Sequence, residues 1–289
     1  MTKFIIGLGC SWTQGEGGYP DDVWKSHNGR VQIRGRDDYY VRHHEHENSW
    51  VNVLCRDHFT DHTPINLGAR GIGNFASMHQ LHFCDKVDFD NSEGIIVFML
   101  SGFERYDAFQ QYPYSSDGHD DHYSNNEFRH YKWRTAWPFD INDDMFWKAY
   151  AKELWSEQFV ACNAMMALLD VQTFAKSVGY KLVVANAFNQ VENGNIYTYL
   201  KKHVGNLVDK FDWSCYIHNT TDYNAFIQKL VWMDNLLKPE DWGSYHGYYS
   251  QRDWPAEYLT NCEGAHPTIK GYKVIADELA NFIKYKHYA

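Results

Sequence analysis

The chain has 289 residues, 44% of them hydrophobic and 17% aromatic, with 27 Lys and Arg against 37 Asp and Glu and a net charge of −10. This is enough apolar material for a sizeable core, and one α/β domain with insertions can hold the whole length. The acidic balance, with no Lys/Arg run, gives no general pull toward nucleic acid or anionic membranes, and no apolar run reaches the roughly 18 residues that a span needs.

The first element is the apolar run "FIIGLG", residues 4–9, read as a short buried strand over residues 3–9 that ends in the glycine-rich turn "GLGCSWTQGEG" (7–17). The run is too short for a secretory leader, so a cytoplasmic protein is expected, or one carried on a particle or released by lysis. Residues 17–47 are polar and charged and read as a loop or insertion. In "ENSWVNVLCRDHF" (47–59) Trp50, Val51, Val53 and Leu54 fall at helical spacing, with Asn48 or Ser49 as the N-cap. "TPINLG" (63–68) reads as a second strand and "GNFASMHQLHFCDKV" (73–87) as a helix. "GIIVFMLSG" (94–102) is an unbroken apolar run between glycines, the pattern of a central parallel strand.

Residues 106–143 are polar and aromatic without periodicity and read as an insertion. Residues 143–179 read as one long helix or two joined ones, stopped by Gly179, and "YKLVVANAF" (180–188) as a fourth strand. "DWSCYI" (212–217) is a candidate fifth, and residues 236–262 are again aromatic, polar and loop-like. "TIKGYKVIADELANFIKY" (268–285) places Ile269, Tyr272, Ile275, Ala276, Leu279, Phe282 and Ile283 on one face of a terminal helix. Strands alternating with helices imply an α/β fold with a parallel sheet covered on both faces. The expected organisation is a single domain over 1–289 with insertions near 17–47, 106–143 and 236–262.

In such a sheet, ligands gather at the carboxyl ends of the strands. The first turn lacks the GK[ST] ending of a phosphate loop, and Trp12 stands where a dinucleotide fingerprint needs its third glycine. It fits better as a turn that presents Ser11. A serine after a strand is by itself most often an N-cap or turn residue. The far end of the chain adds weight. In "EGAHP" (263–267) the Glu263 carboxylate stands three residues before His266, just ahead of the last helix. It can accept from one ring nitrogen while the other faces a hydroxyl, which is the chain of hydrogen bonds that a serine nucleophile needs.

Two charged stretches, "HHEHE" (43–47) and "DGHDDH" (117–122), have the residue types of metal ligands, but adjacent residues seldom converge on one ion, and no metal site is assigned. The six cysteines form no CxxC pair and read as reduced, mostly buried thiols. Cys10 beside Ser11 is read as core. The aromatic clusters 111–139 and 241–258 interleave Trp and Tyr with Asp, Asn and His. Such surfaces bind sugars by stacking and hydrogen bonding, although large insertions also use aromatics to pack their own small cores.

Four blocks, in order across nearly the whole chain, resemble the SGNH hydrolases, also called GDSL-type lipases and esterases. "GCSWT" (9–13) is similar to the first block, in the form met in phage members of the family. "NLGARGIGN" (66–74) is similar to the second, "VFMLSGFER" (97–105) occupies the third, and "EGAHPTIKGYKVIADEL" (263–279) is similar to the last. The resemblance implies a flavodoxin-like three-layer sandwich of about five parallel strands. It also implies a Ser11–His266–Glu263 triad, with the backbone N–H groups of Ser11 and Gly71 as oxyanion donors and no cofactor or metal.

The sequence departs from the family in two places. Its usual Asp is Glu263, which other serine hydrolases also use. The third block, which normally ends Gly-x-Asn, reads Gly102-Phe103-Glu104. An ionised Glu104 would repel the developing charge, and losing one oxyanion donor costs about 100- to 1000-fold in rate. Either Arg105 or the Ser101 hydroxyl takes over, with Asn74 a further candidate for substrate or oxyanion contact, or activity is weak. The implied function is hydrolysis of a carboxylic ester, of the carbohydrate O-acetyl esterase kind, on a small-molecule or glycan ester. The alternatives are acyl transfer on the same scaffold, or a glycan-binding or structural particle protein with a weak or dead site, which Glu104 favours.

Overall fold

The structure is a computed structural model, and it describes residues 1–16, 18, 38–69, 71–103, 105–111, 131–136, 153, 156–187, 196–217, 267 and 269–287. Among these residues four parallel strands form one sheet: β1 (Thr2–Leu8), β2 (His62–Asn66), β3 (Ser92–Leu100) and the strand Lys181–Asn186, with β1 between β2 and β3 and Lys181–Asn186 beyond β3. The pairing registers run Ile6 against Ile65 on one side of β1 and Ile6 against Ile96 on the other. This is the α/β architecture expected from alternating strands and helices.

Alternate residues of the central strands enter opposite faces, as a period of two requires. Phe4, Ile6 and Leu8 of β1, with Ile96, Phe98 and Leu100 of β3, join one apolar cluster. Ile5 of β1, with Ile95, Val97 and Met99 of β3, joins the other. Because both faces are covered, these strands are apolar throughout rather than alternating. At roughly 1.5–3 kcal/mol for each large side chain fully buried, the two clusters are the main source of stability.

The helices divide between the faces. On the second face lie α3 (Trp50–His58) and the terminal α7 (Ile269–His287), which bury Trp50, Val51, Val53 and Leu54, and Tyr272, Ile275, Leu279 and Ile283. On the first lie α4 (Asn74–His82), α5 (Glu157–Ser177) and α6 (Ile196–Val204), which supply Met78 and Leu81, Val160 to Ala175, and Ile196 and Leu200. Ser49 rather than Asn48 caps α3: its hydroxyl accepts from Asn52 N, while Asn48 ends the preceding helix α2 (Asp38–Asn48). Ser156 caps α5 by accepting from Phe159 N at 3.1 Å.

Several expectations are corrected. The loop expected over 17–47 contains α2, while within the 143–179 helix pattern the described residues form α5. The 106–143 insertion contains an antiparallel pair, β4 (Tyr106–Gln111) with β5 (Tyr131–Ala136), the strand Lys181–Asn186 being β6. The fifth strand expected at 212–217 is a short 3-10 turn, Trp213–Cys215, followed by a single parallel bridge from Tyr216 to Val184. Asp212 is the physical reason. Its side chain accepts from Ser214 N at 3.0 Å and its carbonyl from Cys215 N at 3.1 Å, which curls the backbone before it can extend. Tyr216 still occupies the position of a fifth strand beside β6. The helix α6 and the 3-10 turn Gly205–Lys210 had no counterpart in the sequence reading.

Among the described residues no helix is long and apolar enough to cross a membrane. Cys10, Cys55 and Cys215 are buried free thiols, Cys84 is half-buried and Cys162 is exposed. Burial pushes the Cys55 and Cys215 thiols up to about 12, so both stay protonated at neutral pH.

Candidate functional site

From β1 the chain passes by α3 on one face to β2, then by α4 on the other face to β3, on the opposite side of β1. The strand order thus reverses between β1 and β3, and open α/β sheets bind ligands at the carboxyl ends of the strands at such a point. Ser11 lies there. It is the first residue of the four-residue helix α1 (Ser11–Gln14), three residues after Leu8 ends β1, and is 6% exposed. Its neighbours Cys10 and Trp12 are buried in the second-face cluster.

Glycine geometry makes this turn possible. Gly9 has φ +148°, and a Cβ there would come 2.3 Å from Thr13 Oγ1 and 2.7 Å from Met99 O. Without it, Thr13 closes over the strand end and donates to Leu8 O at 3.2 Å. Gly15 ends α1 in the left-handed region, at φ +107°, where a Cβ would lie 2.0 Å from the backbone oxygen of Glu45. Gly15→Ala is therefore expected to cost about 3 kcal/mol or more, through both strain and a clash with backbone that cannot rotate away. The check is the urea midpoint, which should fall while the m-value holds. On the same side, Gln14 donates to the buried Glu45 carboxylate at 3.1 Å, which ties α1 to α2. "HHEHE" thus lies on a helix with one of its carboxylates turned inward, and among the described residues no group of three His, Cys, Asp or Glu could hold a metal ion. "DGHDDH" lies outside the described residues.

The second block packs on the first. Asn66 Nδ2 donates to Thr13 O at 2.8 Å, Gly68 N to Asn66 Oδ1 at 2.9 Å, and Ala69 N to Gly9 O at 3.1 Å. Gly68 sits so close that a Cβ would lie 2.3 Å from Gln14 N. Gly71 has φ +72°, and no described residue lies within 4 Å of where its Cβ would be. Among the described residues the left-handed turn is open on that side.

The third block joins the second through Asn74. Its side chain grips the backbone of Ser101 at both ends: Nδ2 donates to Ser101 O at 3.1 Å and Oδ1 accepts from Ser101 N at 2.7 Å. The Ser101 hydroxyl donates to Ile72 O at 3.0 Å, and Arg105 Nη1 donates to the same oxygen at 3.0 Å. All three side chains are buried and hold the turn between β2 and α4. Asp107 holds it as well: Oδ1 accepts from Gly73 N at 2.8 Å and Oδ2 from Ala76 N at 2.9 Å. The sequence reading missed Asp107, and no local signal marks it, since its partners lie 34 and 31 residues away.

Glu104, Glu263 and His266 lie outside the described residues. The helix that follows them is anchored at this edge of the sheet: the hydroxyl of Tyr272, in the first turn of α7, donates to Glu16 O at 2.7 Å.

No family model matches the chain, and no curated protein matches it. The solved structures that are similar include the crystal structure of a carbohydrate acetylesterase family member from Sinorhizobium meliloti, with a TM-score of 0.37 and 13% identity over 100% of both chains. A likeness that distant says nothing about activity or substrate, so the chemistry has to come from the site.

Proposed function

We propose that the chain is a serine ester hydrolase with Ser11 as nucleophile. The observation that carries this reading is the position of Ser11, at a tight glycine-enforced turn on the carboxyl edge of β1 and at the reversal of strand order. The neighbouring thiol Cys10 is packed into the core instead. The oxyanion donors are the backbone N–H groups of Ser11 and of Gly71, whose open left-handed turn belongs to the segment braced against α1 by Asn66 and Ala69. Ser11 Oγ attacks the acyl carbon, and His266 takes the hydroxyl proton and returns it to the leaving alcohol. Glu263 accepts from the other ring nitrogen and keeps the imidazole in the working tautomer. The anchoring of α7 to Glu16 supports this partnership, because the helix that begins just after His266 starts beside the nucleophile turn.

The substrate class follows from composition. The stretches 106–143 and 236–262 mix aromatics with Asp, Asn, Ser, His and Gly, and offer no aliphatic run to line a long acyl channel. Such a composition suits a polar, ring-shaped alcohol, and a short acyl group. Acetyl esters are expected to be preferred over longer ones, and acetylated sugars over triglycerides. Each methylene without a place to be buried forgoes about 0.8 kcal/mol of transition-state binding, and a clash costs more. A p-nitrophenyl ester series from acetate to decanoate, run beside acetylated xylose, tests this. A kcat/KM that climbs to octanoate, with no acetate released from any sugar, overturns the substrate class. Turnover of p-nitrophenyl acetate that is absent, or unchanged in Ser11→Ala, overturns the hydrolase.

A further inference from the structure

Helix α4 begins beside Ser101, just past the end of β3, with Gly73 as its N-cap, a residue with no side chain to satisfy the helix's first amides. In a capping box, two side chains of the helix's own first turn satisfy the amides of the N-cap and of the third helical residue. Here those two amides are Gly73 N and Ala76 N, and both donate to one buried carboxylate from another part of the fold, Asp107 of β4. The fit is close: a Cβ on Gly73 would lie 2.7 Å from Asp107 Oδ2 and 3.0 Å from Oδ1. Two residues earlier stands Gly71 with its left-handed turn, and between them Ile72 O is held by Ser101 and Arg105. Asp107 also lies on the hairpin β4–β5, whose connection, residues 112–130, falls inside the first aromatic cluster.

We propose that Asp107 is a positioning residue that sets the Gly71–Asn74 turn from the hairpin side. One carboxylate thereby links the aromatic insertion to the oxyanion donor. The part in catalysis rests on the ester-hydrolase reading. The holding of the turn does not. A carboxylate suits this task better than an amide, since both of its oxygens accept and both face N–H donors at a helix N-terminus. Asp107→Asn keeps the shape but turns an NH2 toward one of the two amides. Gly73→Ala leaves the carboxylate intact and pushes it away from the other side.

Both variants are expected to speed hydrogen–deuterium exchange across residues 71–77. Both should lower kcat on p-nitrophenyl acetate by about 10- to 100-fold while KM changes little, because a misplaced donor is felt mainly in the transition state. The double variant should be no worse than the poorer single one, since both break the same contact. Gln172→Ala is the stability control. Gln172 bridges Lys210 O and Asp212 N behind α5, so its loss should lower Tm and leave kcat as in the wild type. Exchange unchanged in Asp107→Asn overturns the holding of the turn, whatever the activity. Faster exchange with kcat unaltered, or with kcat and KM moving together, reduces Asp107 to a fold residue and overturns the positioning role. Wild-type turnover that is absent or independent of Ser11 defeats the hydrolase reading, and Asp107's part in that reaction with it. The exchange measurement separates that failure from a failure of the contact.

Discussion

Ser11→Ala is expected to abolish covalent labelling by a fluorophosphonate and to lower kcat on p-nitrophenyl acetate by up to about a millionfold. The size follows from what remains. Without the hydroxyl there is no acyl-enzyme, and binding and oxyanion donors alone retain about 1000- to 10,000-fold over water. The fold should tolerate the change, because Ser11 opens α1 with its backbone and the turn is held by Gly9, Thr13 and Asn66. An unchanged melting temperature beside lost labelling would therefore locate the effect in chemistry. Cys10 is the competing nucleophile in sequence, but it is buried in the apolar cluster that also holds Trp12, Met99 and Tyr272. Labelling that survives in Ser11→Ala, or that moves to Cys10, removes Ser11 from the mechanism.

His266→Ala is expected to cost nearly as much, since nucleophile and base act as one unit and losing either removes the same step. The Ser11→Ala/His266→Ala pair should accordingly be no slower than the poorer single variant. Glu263→Gln should lower kcat by about 10,000-fold, because an amide at that position supports the wrong tautomer without disturbing the shape. KM should move little in each case. If His266→Ala turns over ester like the wild type, the general base lies elsewhere, and "EGAHP" is a loop ahead of a helix and nothing more. If Glu263→Gln is silent while His266→Ala is dead, another carboxylate orients the imidazole.

The sheet was legible because each central strand is covered on both faces. Unbroken apolar runs such as "GIIVFMLSG", too short to cross a membrane as a helix, have few other places to go. The helices α3 and α7 were legible from apolar spacing, and α3 also from its polar N-cap, which is a local signal. The element at 212–217 was misread because "SCYI" has strand-like residues and the period of a short run carries little information. An aspartate two residues upstream of Ser214 decided the backbone instead. The hairpin β4–β5 was missed for the opposite reason. Its strands sit in a polar, aromatic stretch without the alternation of a half-buried sheet, and a 19-residue connection separates them.

Within the candidate site, the sequence by itself determined the turn. Gly9, Ser11, Gly71 and the order of the strand ends follow from local constraints, where an apolar strand meets glycine and a small polar residue. The tertiary structure alone decided what surrounds it. Asn74, Ser101 and Arg105 carry side chains that sequence reading offers to an oxyanion or a substrate, and packing also gives each of them bonds to backbone on neighbouring turns. Asp107 reads as one more carboxylate in a polar stretch until β4 carries it to α4. The physical reason is range. A glycine's backbone freedom or a serine's place after a strand acts within a few residues and leaves a pattern along the chain. A hydrogen bond between residues about thirty positions apart leaves none, and exists only once packing of the sheet has brought its two ends together.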